Sequence, residues 1–125
     1  MIEVLTPLNP EYQLYDSQAK ELYEKTQEKI KDPNSYEFVR DNTLFYIFIQ
    51  DGSFIGAIYY FMDDGKLFLN VFAKPKNHIA NLLCLRKSTT WFVPPIYAEA
   101  QNRASALCLL RCGFKRVKGN HYCLK

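Results

Sequence analysis

The residues best placed to do chemistry lie within residues 96–114, where a short apolar run is followed directly by polar side chains. Glu99 is a carboxylate near the end of that run, and a positioned carboxylate can take a proton as a general base. Asn102 follows at the start of a predicted helix, and its side-chain oxygen can accept a free backbone N–H of the first turn. Gly113 can adopt the left-handed conformation that ends such a helix. The stretch therefore predicts a strand, a polar junction and a helix.

Four residues of this stretch share a spacing. Asn102, Ser105, Gly113 and Phe114 form the pattern Asn-x-x-Ser-(x)7-Gly-Phe. The pattern resembles the second conserved motif of the GNAT superfamily, the Gcn5-related N-acetyltransferases, and is most similar to the ribosomal-protein N-acetyltransferase branch. The resemblance implies that Asn102 and Ser105 contact coenzyme A (CoA). Each also has a structural explanation, because Asn102 can cap the helix and Ser105 can lie on its surface.

A second stretch follows the predicted fourth strand. GNAT enzymes hold the CoA pyrophosphate on the loop after that strand, in the pattern Arg/Gln-x-x-Gly-x-Gly/Ala. Aligned without a gap, Lys76 keeps a cation at the first position, whereas Ile79 and Asn81 replace the two small residues. The resemblance implies that the cofactor-binding residues here are Val71, Phe72, Ala73, Lys76, Asn77, His78, Ile79, Ala80 and Asn81.

The loop at residues 74–81 has two interpretations. In the first, a helix N-terminus binds phosphate through its free N–H groups and dipole, with help from Lys74, Lys76 and His78. In the second, Ile79 points into the core and the lysines are solvated surface charges. A β-branched side chain disfavours positive φ and obstructs close approach of a ligand to the backbone. The cofactor expected from the resemblance is acetyl-CoA, on a phosphate loop that lacks the family glycines.

The resemblance implies acetyl transfer to an amine of a protein or a small molecule, which needs a base for the amine proton and an acid for the leaving thiolate. Glu99 is the candidate base, and the alternative is a strand carboxylate in a salt bridge. The family's tyrosine acid falls on Leu109, which can donate no proton. Tyr97 and Tyr122 are near in sequence but do not match that position.

Periodicity and turn signals predict the elements that position these residues. Asp-Gly pairs separate three strands of an antiparallel meander in the middle of the chain. Strands are predicted at residues 2–5, 44–49, 54–61, 66–72, 96–100 and 115–124, the last one bent, with a short extended segment at 36–40. Helices are predicted at residues 10–31, as one piece or two joined near Asp16-Ser17, and at 77–90 and 103–112.

This order resembles the GNAT fold over essentially the whole chain. It predicts one α/β (α+β) domain over residues 1–125, with a mixed central sheet, an antiparallel meander and flanking helices. The resemblance implies that the fourth and fifth strands are parallel neighbours that splay apart, and that acyl-CoA lies in the opening. On the helix at 103–112, the predicted buried stripe is Ala106 or Leu107, Leu110 and part of the Cys108/Cys112 face.

Composition and charge narrow the classes of ligand and the cellular locations that the sequence predicts. The chain has 125 residues, 48% of them hydrophobic, and a net charge of +3, which is compatible with an anionic ligand. No run approaches the roughly 18 apolar residues of a membrane span, and no signal-peptide pattern begins the chain, so a cytoplasmic protein is predicted. The four cysteines have no Cys-x-x-Cys spacing, which predicts reduced thiols and no metal site.

Two functions follow from these observations. The first is an acyl-CoA-dependent N-acetyltransferase. The second is a catalytically inactive GNAT-fold module that binds a protein partner or a second copy of itself, a homodimer, because Ile79, Asn81 and Leu109 replace family residues. It is also suggested by aromatic residues that a small core need not use, namely Phe45, Tyr46, Phe48, Tyr59, Tyr60, Phe61 and Phe72. The mildly basic C-terminal end is typical of a solvated surface, which argues against nucleic-acid binding.

Overall fold

The computed structural model describes residues 2–75 and 77–125, and within them it contains one mixed sheet with helices on both faces. The sheet has the strand order β1-β2-β3-β4-β5-β7-β6. Its strands are β1 (Ile2–Leu5), β2 (Leu44–Gln50), β3 (Ser53–Asp63), β4 (Lys66–Ala73), β5 (Ile96–Glu99), β6 (Lys115–Lys118) and β7 (His121–Leu124). The helices are α1 (Asp16–Ile30), α2 (Tyr36–Asn42), α3 (His78–Thr89) and α4 (Arg103–Arg111), and a 3-10 helix (Pro10–Leu14) precedes α1.

The antiparallel meander is confirmed by the pairing of β1 with β2, β2 with β3 and β3 with β4. Two tight turns create it, Asp51-Gly52 and Asp64-Gly65, and all four of these residues have positive φ. Positive φ at both central residues gives a turn whose twist matches that of the flanking strands. β4 and β5 are the parallel pair that the resemblance implied, and β5, β7 and β6 continue the sheet in antiparallel order.

The core forms two clusters, one on each face of the sheet. Under α1 and α2 the cluster is rich in aromatic rings, including Tyr12, Tyr23, Tyr36, Phe45, Tyr59 and Phe72. Under α3 and α4 it includes Phe48, Ile58, Tyr60, Leu85, Ile96, Leu109 and Phe114. Most of the aromatic residues suspected of being surplus to the core are therefore buried in it. Tyr46 instead packs against Trp91, with 4.7 Å between ring centroids.

Several predicted elements need correction. The extended segment at residues 36–40 is wrong, because the chain forms α2 there. The Ser35 hydroxyl accepts the Phe38 N–H at 3.1 Å, which caps this helix, and Tyr36 and Val39, three residues apart, are buried. The bent last strand is a hairpin of β6 and β7, with Gly119 at φ 54 between them. The segment 10–31 follows the two-piece alternative, with its joint at Tyr15.

The buried stripe predicted for α4 is correct at Ala106 and the Cys108/Cys112 face but wrong at Leu110, and it omits Leu109. Leu109 is its buried residue, at 4% exposure, whereas Leu107 and Leu110 are about half exposed. Ala106, Cys108 and Cys112 pack at the edge of the core on the same side. In the described part of the chain, no helix has the length and apolarity needed to cross a membrane.

Candidate functional site

A gap between β4 and β5 is the centre of the candidate site. The two strands pair from Leu67–Ile96 to Leu69–Ala98, and then β4 continues to Ala73 while β5 ends at Glu99. A continued register would place Val71 opposite Ala100, but the pairing stops at Leu69–Ala98, and the Ala100 N–H extends the β5–β7 ladder by donating to the Asn120 carbonyl at 2.8 Å. The predicted splay of the parallel pair is thus confirmed, and it begins directly after Leu69.

The start of α4 borders this gap and carries both motif residues. Asn102 Oδ1 accepts the Ser105 N–H at 2.9 Å, and Ser105 Oγ accepts the Asn102 N–H at 3.0 Å. This reciprocal capping box satisfies free N–H groups at the helix start. The Gln101 N–H also donates to Ser105 Oγ, at 2.8 Å. Asn102 therefore caps the helix as proposed, whereas Ser105 completes the capping box and does not merely lie on the helix surface, and both residues line the edge of the cavity described next.

The first cavity, of about 680 Å³, opens from the gap between α1, α3 and α4. It brings together most of the predicted cofactor-binding residues, namely Val71, Phe72, Ala73, His78, Ile79, Asn81, Asn102 and Ser105. Two predicted residues do not line it: Asn77 precedes α3 as its N-cap residue, and Ala80 is buried in the core. Lys76 lies outside the described residues.

Positive charge surrounds the first cavity. Lys25, Lys29 and Arg111 line it together with His78, and Glu99 is the carboxylate among its described lining residues. The first turn of α3 contains no acidic residue, and Asn77 makes no side-chain capping bond to it. The free N–H groups and positive dipole end of that turn thus add to an electrostatic environment suited to an anion. The Lys74 ammonium lies over the Phe54 ring, 5.6 Å from its centroid, and is not part of this lining.

Ile79 lies in the first turn of α3 with 77% of its surface exposed. The interpretation that placed it in the core is wrong. Because it is part of a regular helix, its backbone does not need the positive φ that a glycine loop would use. Its side chain lines the first cavity, so the wall near the helix start is apolar where the family pattern has small residues.

The second cavity, of about 520 Å³, lies beside the loop that follows α1 and has the opposite character. Its described lining residues include three carboxylates, those of Asp32, Asp63 and Glu99, and one ammonium group, that of Lys31. Aromatic rings form another part of its wall, from Phe38, Phe61 and Phe68. Leu69, Asn70 and Glu99 line both cavities, so the two spaces border each other at the gap.

Glu99 is a half-buried carboxylate at this junction. Its Oε1 accepts a hydrogen bond from Lys31 Nζ at 2.7 Å, and the Lys31 side chain is 68% exposed. The salt-bridge interpretation of Glu99 is therefore correct as a description of its contact. An ion pair whose cation is so exposed contributes little to stability, so the carboxylate can exchange this partner for another at low cost.

A buried hydrogen-bond chain supports the second cavity, and sequence reasoning missed it. Asn70 Nδ2 donates to Tyr59 Oη at 3.0 Å, and Tyr59 Oη donates to Asp32 Oδ2 at 2.8 Å. Burial raises the pKa of Tyr59 far above its usual value, which keeps the phenol protonated and able to donate. The signal in the sequence was Asn70 itself, the polar residue within the apolar run of β4.

No proton donor stands at the family's acid position, because Leu109 is buried in the core. Cys108, one residue before it, lines the first cavity. The hydrogen bond from Cys112 and the nearby guanidinium groups of Arg111 and Arg86 lower the pKa of Cys108. Within residues 2–75 and 77–125, no group of His, Cys, Asp and Glu side chains is arranged to hold a metal ion.

Several solved structures that match this fold are N-acetyltransferases. An N-acetyltransferase from Staphylococcus aureus Mu50 is 13% identical, with a TM-score of 0.69 over 98% of this chain and 92% of that one. A PaiA N-acetyltransferase from Thermoplasma acidophilum, in complex with coenzyme A, is 18% identical, with a TM-score of 0.56 over 98% and 96% of the two chains.

A ribosomal-protein-alanine N-acetyltransferase from Brucella melitensis is 15% identical, with a TM-score of 0.59 over 94% of this chain and 86% of that one. No family model matches the sequence, and no curated protein matches it significantly. The similarity therefore lies in the three-dimensional structure. The chain has the GNAT fold, as the order of its elements predicted.

Proposed function

We propose that this protein is an acyl-CoA-dependent N-acetyltransferase that acts on an amine. The observation that carries the proposal is the gap after Leu69 and Ala98, with a basic cavity and an acidic cavity that share its lining residues. A transferase of this kind must bring an anionic acyl donor and an amine together at one point. The two cavities provide opposite charges for these two substrates.

The first cavity fits coenzyme A as the acyl donor. Lys25, Lys29, Arg111 and the start of α3 offer positive charge for its phosphates. Its apolar walls, which include Leu82 and Leu107, suit the pantetheine arm. When bound, acetyl-CoA supplies the acyl group as an activated thioester, and CoA leaves as the thiol. Of the predicted ligands, we keep Val71, Phe72, Ala73, His78, Ile79, Asn81, Asn102 and Ser105, which line this cavity.

The second cavity fits the amine. An amine is protonated near neutral pH, and the carboxylates of Asp32, Asp63 and Glu99 attract the resulting cation. We assign Glu99 as the base, directly or through water, because it lines both cavities. Lys31 Nζ lies 2.7 Å from Glu99 Oε1 and positions the carboxylate at the junction of the two cavities. The acceptor can be a small molecule or a side chain or terminus of a protein.

A titration with acetyl-CoA tests the donor half of the proposal. Binding to the native state raises the melting temperature, by mass action, as ligand is added. Release of the CoA thiol in the presence of charged primary amines then tests transfer. The absence of a thermal shift at millimolar acetyl-CoA would overturn the proposal.

We infer a second candidate function, a noncatalytic module that binds a protein partner or a second copy, from one observation. Leu109 is 4% exposed at the family's acid position and can donate no proton. A thiol with a pKa of about 8.5 needs little help to leave, however, so this loss does not preclude transfer. Acetyl-CoA binding without thiol release for any amine, together with a dimer in light scattering, would favour the module.

A further inference from the structure

The side chain of Gln101 crosses the gap between β4 and β5. Its Nε2 donates to the Val71 carbonyl at 2.6 Å, and both residues are half-buried. Val71 is the second residue of β4 beyond the last pair with β5. The contact therefore lies inside the opening, on the edge of β4 that β5 has left.

This side chain replaces a backbone bond that a regular sheet would make there. In a parallel ladder continued from Leu69–Ala98, Val71 would lie opposite Ala100, and the Gln101 N–H would donate to the Val71 carbonyl. That N–H is already taken by Ser105 Oγ at 2.8 Å. The primary amide of the same residue fills the vacant position, because an unpaired carbonyl in a partly buried strand is costly.

A ligand that lies along this edge of β4 competes for the same carbonyl. An N–H donor of the ligand can reach the Val71 oxygen where Gln101 Nε2 now sits, and the first cavity includes both Val71 and Gln101 in its wall. A secondary amide is the group that matches the strand edge best, since it reproduces the donor of a neighbouring strand. The pantetheine arm of CoA has two such amides.

We propose that Gln101 is a latch: its carboxamide closes the gap in the free protein and is displaced from the Val71 carbonyl by an amide of the ligand. The inference rests on the proposed function, since it takes the ligand to be CoA. The capping box holds the Gln101 backbone in place, so the latch can open by rotation of the side chain while α4 stays fixed. Ligand affinity in the unaltered protein is then reduced by the cost of breaking one hydrogen bond.

The test compares Gln101→Ala and Gln101→Met with the unaltered protein and with Gln13→Ala. Gln13 lies in the exposed 3-10 helix outside the first cavity and controls for loss of a glutamine elsewhere. Methionine is similar in length to Gln101 and uncharged, and it has no hydrogen-bond donor for the carbonyl. Calorimetry measures the affinity for three probes: CoA, pantetheine, and adenosine 3′,5′-bisphosphate, which has no amide arm.

We expect both Gln101 variants to bind pantetheine and CoA about three- to tenfold more tightly, the range that one net hydrogen bond implies. Their affinity for the bisphosphate stays unchanged, and so does every affinity of Gln13→Ala. A residue that only stabilised the fold would change the melting temperature without this split between probes.

Unchanged or weaker pantetheine binding in both Gln101 variants overturns the latch. The proposed function is judged separately, and CoA binding to the unaltered protein supports it. Tighter binding in Gln101→Ala with weaker binding in Gln101→Met also overturns it, because a gain from reduced size would then explain the alanine result. If no probe binds to any of the proteins, the latch and the proposed function both fall.

Discussion

The two cavities that meet at the β4–β5 gap differ in charge and in the side chains that form their walls. The first is walled by apolar side chains of α3 and α4 with Lys25, Lys29 and Arg111 among its lining. The second is walled by aromatic rings and the carboxylates of Asp32 and Asp63. Under the proposed function, these opposite charges give each substrate its own cavity, and the substrates meet at the gap.

The two sides also differ in how their polar groups are fixed. On the second side, Asp32 is held by a buried tyrosine and by two donors from Asn34, the backbone N–H and the side-chain amide. On the first side, the cations project from helix surfaces and are largely exposed. Fixed dipoles cost no reorganisation during a reaction, whereas mobile charges serve attraction and release. The comparison therefore supports the roles proposed above, with the base on the acidic side and cofactor binding on the basic side.

Loss of the carboxylate at the junction should have the largest effect. We expect Glu99→Gln to lower kcat by about 100-fold or more, because a general base contributes about 10²–10⁴-fold. Thiol release from acetyl-CoA with charged primary amines measures it. Binding of acetyl-CoA should stay within about twofold.

Lys31→Met is the matched control for Glu99→Gln, since it removes the ion pair and keeps the carboxylate. An exposed pair contributes little, so the stability of this variant should change only slightly. If Glu99→Gln keeps nearly full activity, Glu99 is a structural carboxylate and the acidic side needs another base.

Reversal of charge on the basic side should have the next largest effect. We expect Lys25→Glu combined with Lys29→Glu to weaken CoA binding about tenfold or more and to reduce its dependence on salt, because attraction to the phosphates becomes repulsion. Calorimetric titrations at low and high ionic strength measure both quantities.

Lys115→Glu combined with Lys118→Glu makes the same change in net charge on β6, whose residues are exposed and do not line the first cavity. This control should bind CoA with an affinity close to that of the unaltered protein. Equal weakening in both double variants would show that net charge, and not the rim of the first cavity, attracts the anion.

A smaller effect, on amine binding and not on CoA binding, is expected from the hydrogen bonds that link Asn70, Tyr59 and Asp32. Tyr59→Phe removes the hydroxyl between Asn70 and Asp32, and each of these groups loses a bond. The free energy of unfolding should fall by about 1–3 kcal/mol, the cost of a buried group without its partner. The KM for amines should rise while the Kd for CoA stays unchanged.

Urea unfolding and steady-state kinetics provide these measurements. Tyr97→Phe is the control, because among the described residues the Tyr97 hydroxyl has no hydrogen-bond partner and the ring does not line either cavity. Its stability should change by less than about 0.5 kcal/mol. An equal rise in the CoA Kd of Tyr59→Phe would contradict the division between the two sides.

The sequence was most informative where the controlling interactions are local. Asp-Gly turns predicted the meander, and Asn102 as an N-cap predicted the start of α4. The seven-residue α2 was missed because it presents too few turns for a helical period, although Ser35 was available to cap it. The last strand was taken as bent because Gly119 permits either a bend or a reversal.

The missing parts of the site depend on distant partners. Gln101 meets a residue 30 positions away, and Tyr59 meets Asp32 across 27 positions. Neither pairing has a periodic signature, since each exists only after the strands splay and the loop after α1 packs on the sheet. The orientation of Ile79 was unpredictable for the same reason. The alignment placed it near the helix start, but whether its side chain faces the core or the first cavity depends on how α3 packs.

The smallest effect concerns a thiol on the basic side. Cys108 lines the first cavity, and the hydrogen bond from Cys112 lowers the pKa of Cys108. A lowered pKa means that the reactive thiolate is present at lower pH, so iodoacetamide should modify Cys108 faster at pH 7 than an ordinary thiol. Burial raises the pKa of Cys84 to about 12, which keeps that thiol unreactive in the same experiment. Peptide mass spectrometry measures both rates.

Cys112→Ala removes the donor, so the pKa of Cys108 should rise and its modification at pH 7 should slow by about threefold or more. In the unaltered protein, CoA should protect Cys108 by about threefold at a concentration a few times its Kd, whereas charged amines should not. Because modification reports occupancy and not catalysis, this result holds even for a protein that transfers nothing. Protection of Cys108 by amines and not by CoA would place the amine in the first cavity. The anionic CoA would then have to bind in the second cavity, where the carboxylates repel it, so this result would contradict the proposed roles of the two cavities.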